Sequence, residues 1–136
     1  MDMKELEKLV AADEDGVVIT IHQKNGDPYL AADGTNATMT VVGSESKRYK
    51  AAKRATTDRM LNKRRSKLSA VEVEKNAISQ AAAAVIDWHG WEKDGNPLKC
   101  TPENVRLVLG LSDYILDQVQ EGITGHTDFS GESSST

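Results

Sequence analysis

The side chains best suited to nucleophilic or metal chemistry in this sequence are three histidines, His22, His89 and His126, and one cysteine, Cys100. They are far apart along the chain. His89 and Cys100 are the only two that a single loop could bring together. A structural zinc site needs four ligands at suitable spacing, and there is no second cysteine to help supply them. Glu72 and Glu74 form a close carboxylate pair, but they fall in the first turn of an expected helix, where the helix dipole favours acids without catalysis. Asp87 beside Trp88 reads as a local hydrogen-bond acceptor. No phosphate-cradling glycine loop and no dinucleotide fingerprint is present. The expectation is a protein that is not an enzyme and uses no cofactor or metal.

Charge is the sharper signal. Residues 1–40 carry eight acids and three bases, residues 41–67 ten bases and two acids, and residues 68–136 eleven acids and four bases. The segment sums are −5, +8 and −7, for a net charge of −4. A basic block of this kind suggests an interaction surface. Lys47, Arg48, Lys50, Lys53, Arg54, Arg59, Lys63, Arg64, Arg65 and Lys67 spread over several faces of one expected helix. Three readings follow: docking of an acidic protein partner, phosphate neutralisation on nucleic acid, and a solvated helix offset by the acidic remainder of the chain. The absence of an aromatic stacking platform argues against nucleic acid. Within the basic helix, Tyr49, Ala52, Thr56 and Met60 make a thin apolar seam. Arg48, Tyr49, Lys53, Thr56, Met60 and Arg64 are therefore candidate partner-binding residues. Trp88 and Trp91 flank Gly90 and join them as candidate anchors, since aromatic side chains often dominate interfaces, although both also suit core packing.

The elements that must position these residues are legible in outline. Residues 2–12 read as a helix with Met3, Leu6 and Val10 on one face. Residues 17–22 and 38–42 are β-branched strands, with turn signals at Asn25-Gly26 and Asp33-Gly34 and a possible returning strand at Tyr29-Leu30. Together they predict a small antiparallel sheet over about 17–43. Ser44 is the expected N-cap of the basic helix, which runs to about Arg65. Ser69 and Glu72 form a capping box for a helix reaching about Trp88, with Ile78, Ala82, Val85 and Ile86 facing inward. A small hairpin is expected at Asp94-Gly95. Thr101-Pro102 starts another helix, Gly110 breaks it, and Ser112 caps a last helix through Gly122.

The fold class is therefore α+β, predominantly helical, with an N-terminal sheet followed by a helical bundle. The organisation is a helix and β-meander over 1–43, a helical region of the same domain over 44–122, and a flexible tail over 123–136. The 136 residues suit one core, and no apolar run is long enough to span a bilayer. With only 4% aromatics, that core must be built from Ala, Val, Leu and Ile.

Three stretches, in order, resemble the tail assembly chaperones of long-tailed bacteriophages. They are Val41–Tyr49 leading into the basic helix, Ala84–Trp91, and Asp94–Leu98 followed by Thr101–Val105, Ile115–Val119 and Phe129. The resemblance implies a protein acting in the host cytoplasm during virion assembly. Such a protein would bind the tape measure protein, tail tube subunits, or both before the tube polymerises, with homo-oligomers possible. It brings no catalytic residues. Two other functions remain open: a structural virion component such as a tail completion or neck protein, and a nucleic-acid-binding regulator using residues 44–67.

Overall fold

A computed structural model of the chain describes residues 1–62 and 69–125. Among the described residues, five helices and five strands follow one another: α1 (Met3–Asp15), β1 (Val17–Thr20), β2 (Thr38–Val41), α2 (Lys47–Asn62), α3 (Ala70–Ala84), β3 (Val85–His89), β4 (Glu92–Lys93), β5 (Asn96–Pro97), α4 (Pro102–Leu111) and α5 (Asp113–Thr124). The class is α+β and predominantly helical.

The antiparallel sheet has the order β1-β2-β3. Its first pair was legible: Val17 lies opposite Val41 and Ile19 opposite Met39. Its third strand corrects the expected meander. Tyr29-Leu30 forms no regular strand; the segment between β1 and β2 holds isolated bridges, His22 with Pro28 and Leu30 with Asn36. Tyr29 is tied by single backbone bonds: its N–H donates to Ile21 O (2.9 Å), and its carbonyl accepts from Ala37 N (2.8 Å). Pro28 has no N–H to give a ladder, and turns at both ends leave too few residues for one. The third strand is β3 instead, which places Met39 opposite Trp88. The helix expected to reach Trp88 therefore stops at Ala84. Val85 and Ile86 are β-branched, and the open edge of β2 offers them a ladder that helix cannot. A bulge in the pairing opposite Thr40 and Val41 accompanies the switch. Val85 stays buried, whereas Ile86, expected inside, is 38% exposed.

α5 covers β1 and β2, with α3 and α4 beside it. Ile21, Met39, Val41, Ala81, Ala84, Val105, Leu109, Ile115, Val119 and Ile123 share one cluster. Gly122 allows the approach: a Cβ there would sit 3.3 Å from the Ile19 side chain. α5 also completes the edge of the sheet. The Gln118 amide accepts from His22 N (2.8 Å) and donates to His22 O (2.9 Å), so one side chain imitates a neighbouring strand.

Capping decides the remaining boundaries. α2 begins at Lys47, and its N-cap is Ser46 rather than Ser44. The Ser46 hydroxyl accepts from Tyr49 N at 3.1 Å, and the residue is fully buried. Asp13 fixes the choice: its carboxylate accepts from Glu45 N (2.8 Å), and its carbonyl accepts from Gly43 N (2.9 Å). Glu14 accepts from Lys47 N at 2.6 Å. The acidic end of α1 thus satisfies donors at the start of α2, where helix N–H groups lack partners. α1 accordingly runs on to Asp15, past its expected end. Gly110 does not break α4, which continues to Leu111. The break is at Ser112, whose hydroxyl accepts from Ile115 N at 3.3 Å. The small hairpin at Asp94-Gly95 is present, with φ of 53° and 81° as such two-residue turns require.

Candidate partner-binding surface

The expected seam on α2 divides in two. Tyr49 is half-buried against the core, and Thr56 is 3% exposed. The Thr56 hydroxyl donates to Ala52 O (3.1 Å) and accepts from Arg59 Nη2 (3.3 Å). These residues turn inward on the side of α2 that meets α3, so the seam is largely packing. Met60, at 41% exposure, is its open end, next to Leu61 at 62%. Lys53 is exposed. Arg48 is exposed too, but its Nε donates to Ala83 O at 2.5 Å. A cation on one of the last carbonyls of α3 is a helix C-cap interaction, a role its sequence position did not signal. Arg64 and the expected helix end at Arg65 lie outside the described residues, as does the expected tail from 126 onward. The first residues of the tail expected over 123–136, Ile123 and Thr124, instead close α5, with Ile123 buried in the core.

The outer face of α2 remains strongly basic. Lys47, Lys50, Lys53, Arg54 and Arg59 are exposed. Among the described residues one ion pair involves them, Lys50 with Glu45 at 2.9 Å. Both of its side chains are more than half exposed, and such pairs contribute little. The described acidic segments therefore do not neutralise this helix by direct pairing.

Trp88 and Trp91 are brought together, with ring centroids 5.8 Å apart, and Tyr29 lies 6.3 Å from Trp91. Both indoles are anchored internally: Trp88 Nε1 donates to Leu98 O (2.8 Å) and Trp91 Nε1 to Thr38 O (3.1 Å). Trp91 nevertheless lines an open depression of about 280 Å³ with Ala31, Ala32, His89, Gly90 and Glu92. Gly90 is required there twice over. Its φ is +89°, and a Cβ would meet Ala31 at 2.8 Å.

The reactive side chains do not converge. His89 Nε2 bonds Thr35 Oγ1 at 2.7 Å, and the Thr35 hydroxyl donates to Asp33 at 2.5 Å. That hydroxyl has one proton, directed at Asp33, so His89 is the donor in the other bond. The Thr35 hydroxyl and then its backbone N–H hold the Asp33 carboxyl below the usual carboxylate range. The expected consequence is measurable by NMR titration. Thr35→Val raises the Asp33 pKa part of the way towards the ordinary value of about 3.9. In the native protein, the stabilisation from ionised Asp33 is present above its unfolded-state pKa and fades as pH falls through the lowered folded value. Cys100 is half-buried, and burial, then Asp87, push its thiol pKa up against an opposing effect of Arg48. Among the described residues no group of three or more His, Cys, Asp or Glu is placed to hold a metal ion. Nor is any described helix long and apolar enough to cross a membrane.

The feature that sequence reasoning missed is α1. The helix and its stripe were legible, but a stripe of this kind normally marks a core-facing side. Of that stripe, Met3 is 69% and Leu6 49% exposed while Val10 is partly covered, and Leu9 beside them is 38% exposed. The helix is fixed at its C-terminal end, through Asp13, Glu14 and Gly16, and the rest lies outside the core. No family model, no curated protein and no solved structure matches this chain.

Proposed function

We propose that this protein is a tail assembly chaperone of a long-tailed bacteriophage that binds a helical partner, the tape measure protein or tail tube subunits, before the tube polymerises. The observation that carries this reading is the exposed apolar stripe of α1. An amphipathic helix held at one end, with Met3, Leu6 and Leu9 open to water, suits helix-in-groove recognition. Methionine is well suited to such adaptable contacts. Further support comes from Met60 and Leu61 at the end of α2 and from the unneutralised basic face beside them. A long helical partner has apolar stripes that aggregate when free, and a chaperone covers them while its charged rim keeps the complex in solution.

The test is co-expression with the product of a long helical reading frame beside its gene. Co-purification is expected, together with absence from finished particles. Met3→Ser/Leu6→Ser should weaken capture at least about tenfold, the equivalent of 1.4 kcal/mol, with melting unchanged. Stoichiometric presence in purified virions would refute the chaperone and favour a structural virion component. The exposed basic face of α2 supports one other reading, a nucleic-acid-binding regulator. That reading predicts retention on duplex DNA at low salt, with a steep loss as salt rises.

A further inference from the structure

Two helices of this chain turn opposite charges to solvent. On α2, Lys47, Lys50 and Arg54 recur at i, i+3 and i+7, on the side away from Tyr49, Ala52 and Thr56. On α5, Asp113, Asp117 and Glu121 recur at i, i+4 and i+8, on the side away from Ile115, Leu116, Val119 and Ile123. All six charged residues are exposed. At 1.5 Å of rise per residue the basic row spans about 10 Å and the acidic row about 12 Å, so the two match in length. Among the described residues, the acidic row forms no ion pair, and the basic row forms only the exposed Lys50–Glu45 pair.

Each row also ends beside exposed apolar side chains. On the same side beyond Arg54 come the exposed Asp58 and then Leu61 (62% exposed), whereas Met60 continues the Tyr49–Thr56 side; just before Asp113 comes Leu111 (87%). With the helices antiparallel, Lys47 meets Glu121, Arg54 meets Asp113, and Leu61 falls towards Leu111. The apolar ends supply burial, and the charges supply register and orientation.

We propose that the acidic row of α5 in one molecule docks on the basic face of α2 in a second copy of the same chain. The two surfaces differ, so a single contact leaves one basic and one acidic face free: two copies close a dimer if both contacts form reciprocally, and otherwise the contact propagates into rings or short filaments. Each contact is small compared with the roughly 1,200–2,000 Å² of a stable interface, so association is weak, concentration-dependent and sensitive to salt. The inference goes beyond the chaperone reading and needs no partner protein. It does place the basic face of α2 under a second copy until something else displaces it.

The experiment uses the purified full chain, treated with nuclease, in sedimentation velocity over a range of concentrations. At about 50 mM salt the average mass should rise with concentration, and at about 0.5 M salt, where screening reaches only a few ångströms, it should return to the monomer value. Lys50→Glu/Arg54→Glu and Asp117→Lys/Glu121→Lys should each be monomeric alone. An equimolar mixture of the two should associate again, because each reversed face now meets a reversed complement. If either reversal fails to fold, Arg54→Gln and Glu121→Gln each replace it, with a several-fold weaker association expected. A wild-type chain that stays monomeric at low salt overturns the proposal. So does self-association that neither substitution affects, or a mixture of folded reversals that fails to reassociate. Association that vanishes on nuclease treatment assigns α2 to nucleic acid and overturns it equally.

Discussion

Leu109→Ala is expected to lower stability by about 2–5 kcal/mol, the range for truncating a fully enclosed leucine. Leu109 has no exposed surface. It sits on α4 and shares a cluster with residues of the sheet, α3 and α5, so a cavity there has close-packed walls on every side. The core is built mainly from Ala and β-branched residues, with few large side chains able to swing into a void. Incomplete relaxation places the loss towards the upper part of the range. A domain with a total stability of about 5–15 kcal/mol would lose a large share of it. Leu111, two residues further on, is the control. It is 87% exposed, and Leu111→Ala should stay within about 0.5 kcal/mol of wild type. Urea unfolding with an unchanged slope would check both values. Equal losses at the two positions would contradict the packing described for α4.

The second large effect is expected at Asp13. Although aspartate is a surface residue by habit, it is 2% exposed here. Its carboxylate holds Glu45 N, and losing a hydrogen bond to a charged group costs about 1.5–3 kcal/mol. Asp13→Ala should therefore destabilise the fold and loosen the start of α2, seen as faster amide exchange at Glu45 and Ser46. Asp13→Asn keeps an acceptor oxygen and should lose less. Gly43 provides an independent check. A Cβ at position 43 would overlap the Asp13 carboxylate, so Gly43→Ala must displace it. If both substitutions disrupt the same contact, the double variant should cost less than the sum of the singles. Strict additivity would show that the two residues act separately.

These two positions also show what local sequence could and could not reveal. α4 and α5 were readable because their caps, Thr101-Pro102 and Ser112, and their apolar spacing lie within one short window. β1 and β2 were readable from β-branched runs bounded by turns. The choice of Ser46 over Ser44 was not, because the carboxylate that decides it is 32 residues away from the backbone N–H it holds. The end of α3 failed for a related reason. Ile78, Ala82, Val85 and Ile86 fit a helical stripe, and only the free edge of β2 turns the last two into strand. On the candidate surface, the basic character of α2 was plain in composition. Which of its side chains face α3 was not, so Tyr49 and Thr56 looked available although they pack inward. The exposure of α1 was hidden by the same logic, since periodicity reports an apolar face but not whether anything covers it.

Gln118 has a consequence for the order in which the chain can fold. The backbone groups of His22 that it pairs lie 96 residues earlier. During synthesis, β1 and β2 leave the ribosome long before their cover, α5, exists. β3, which completes the sheet, emerges only after the whole α2–α3 hairpin. At about 5–20 residues per second, the first hairpin waits seconds with its apolar face and one edge open. Contacts this distant in sequence also slow closure after release. The nascent chain thus passes through an interval in which it is itself an aggregation-prone client, and the interval ends only when the last helix is delivered.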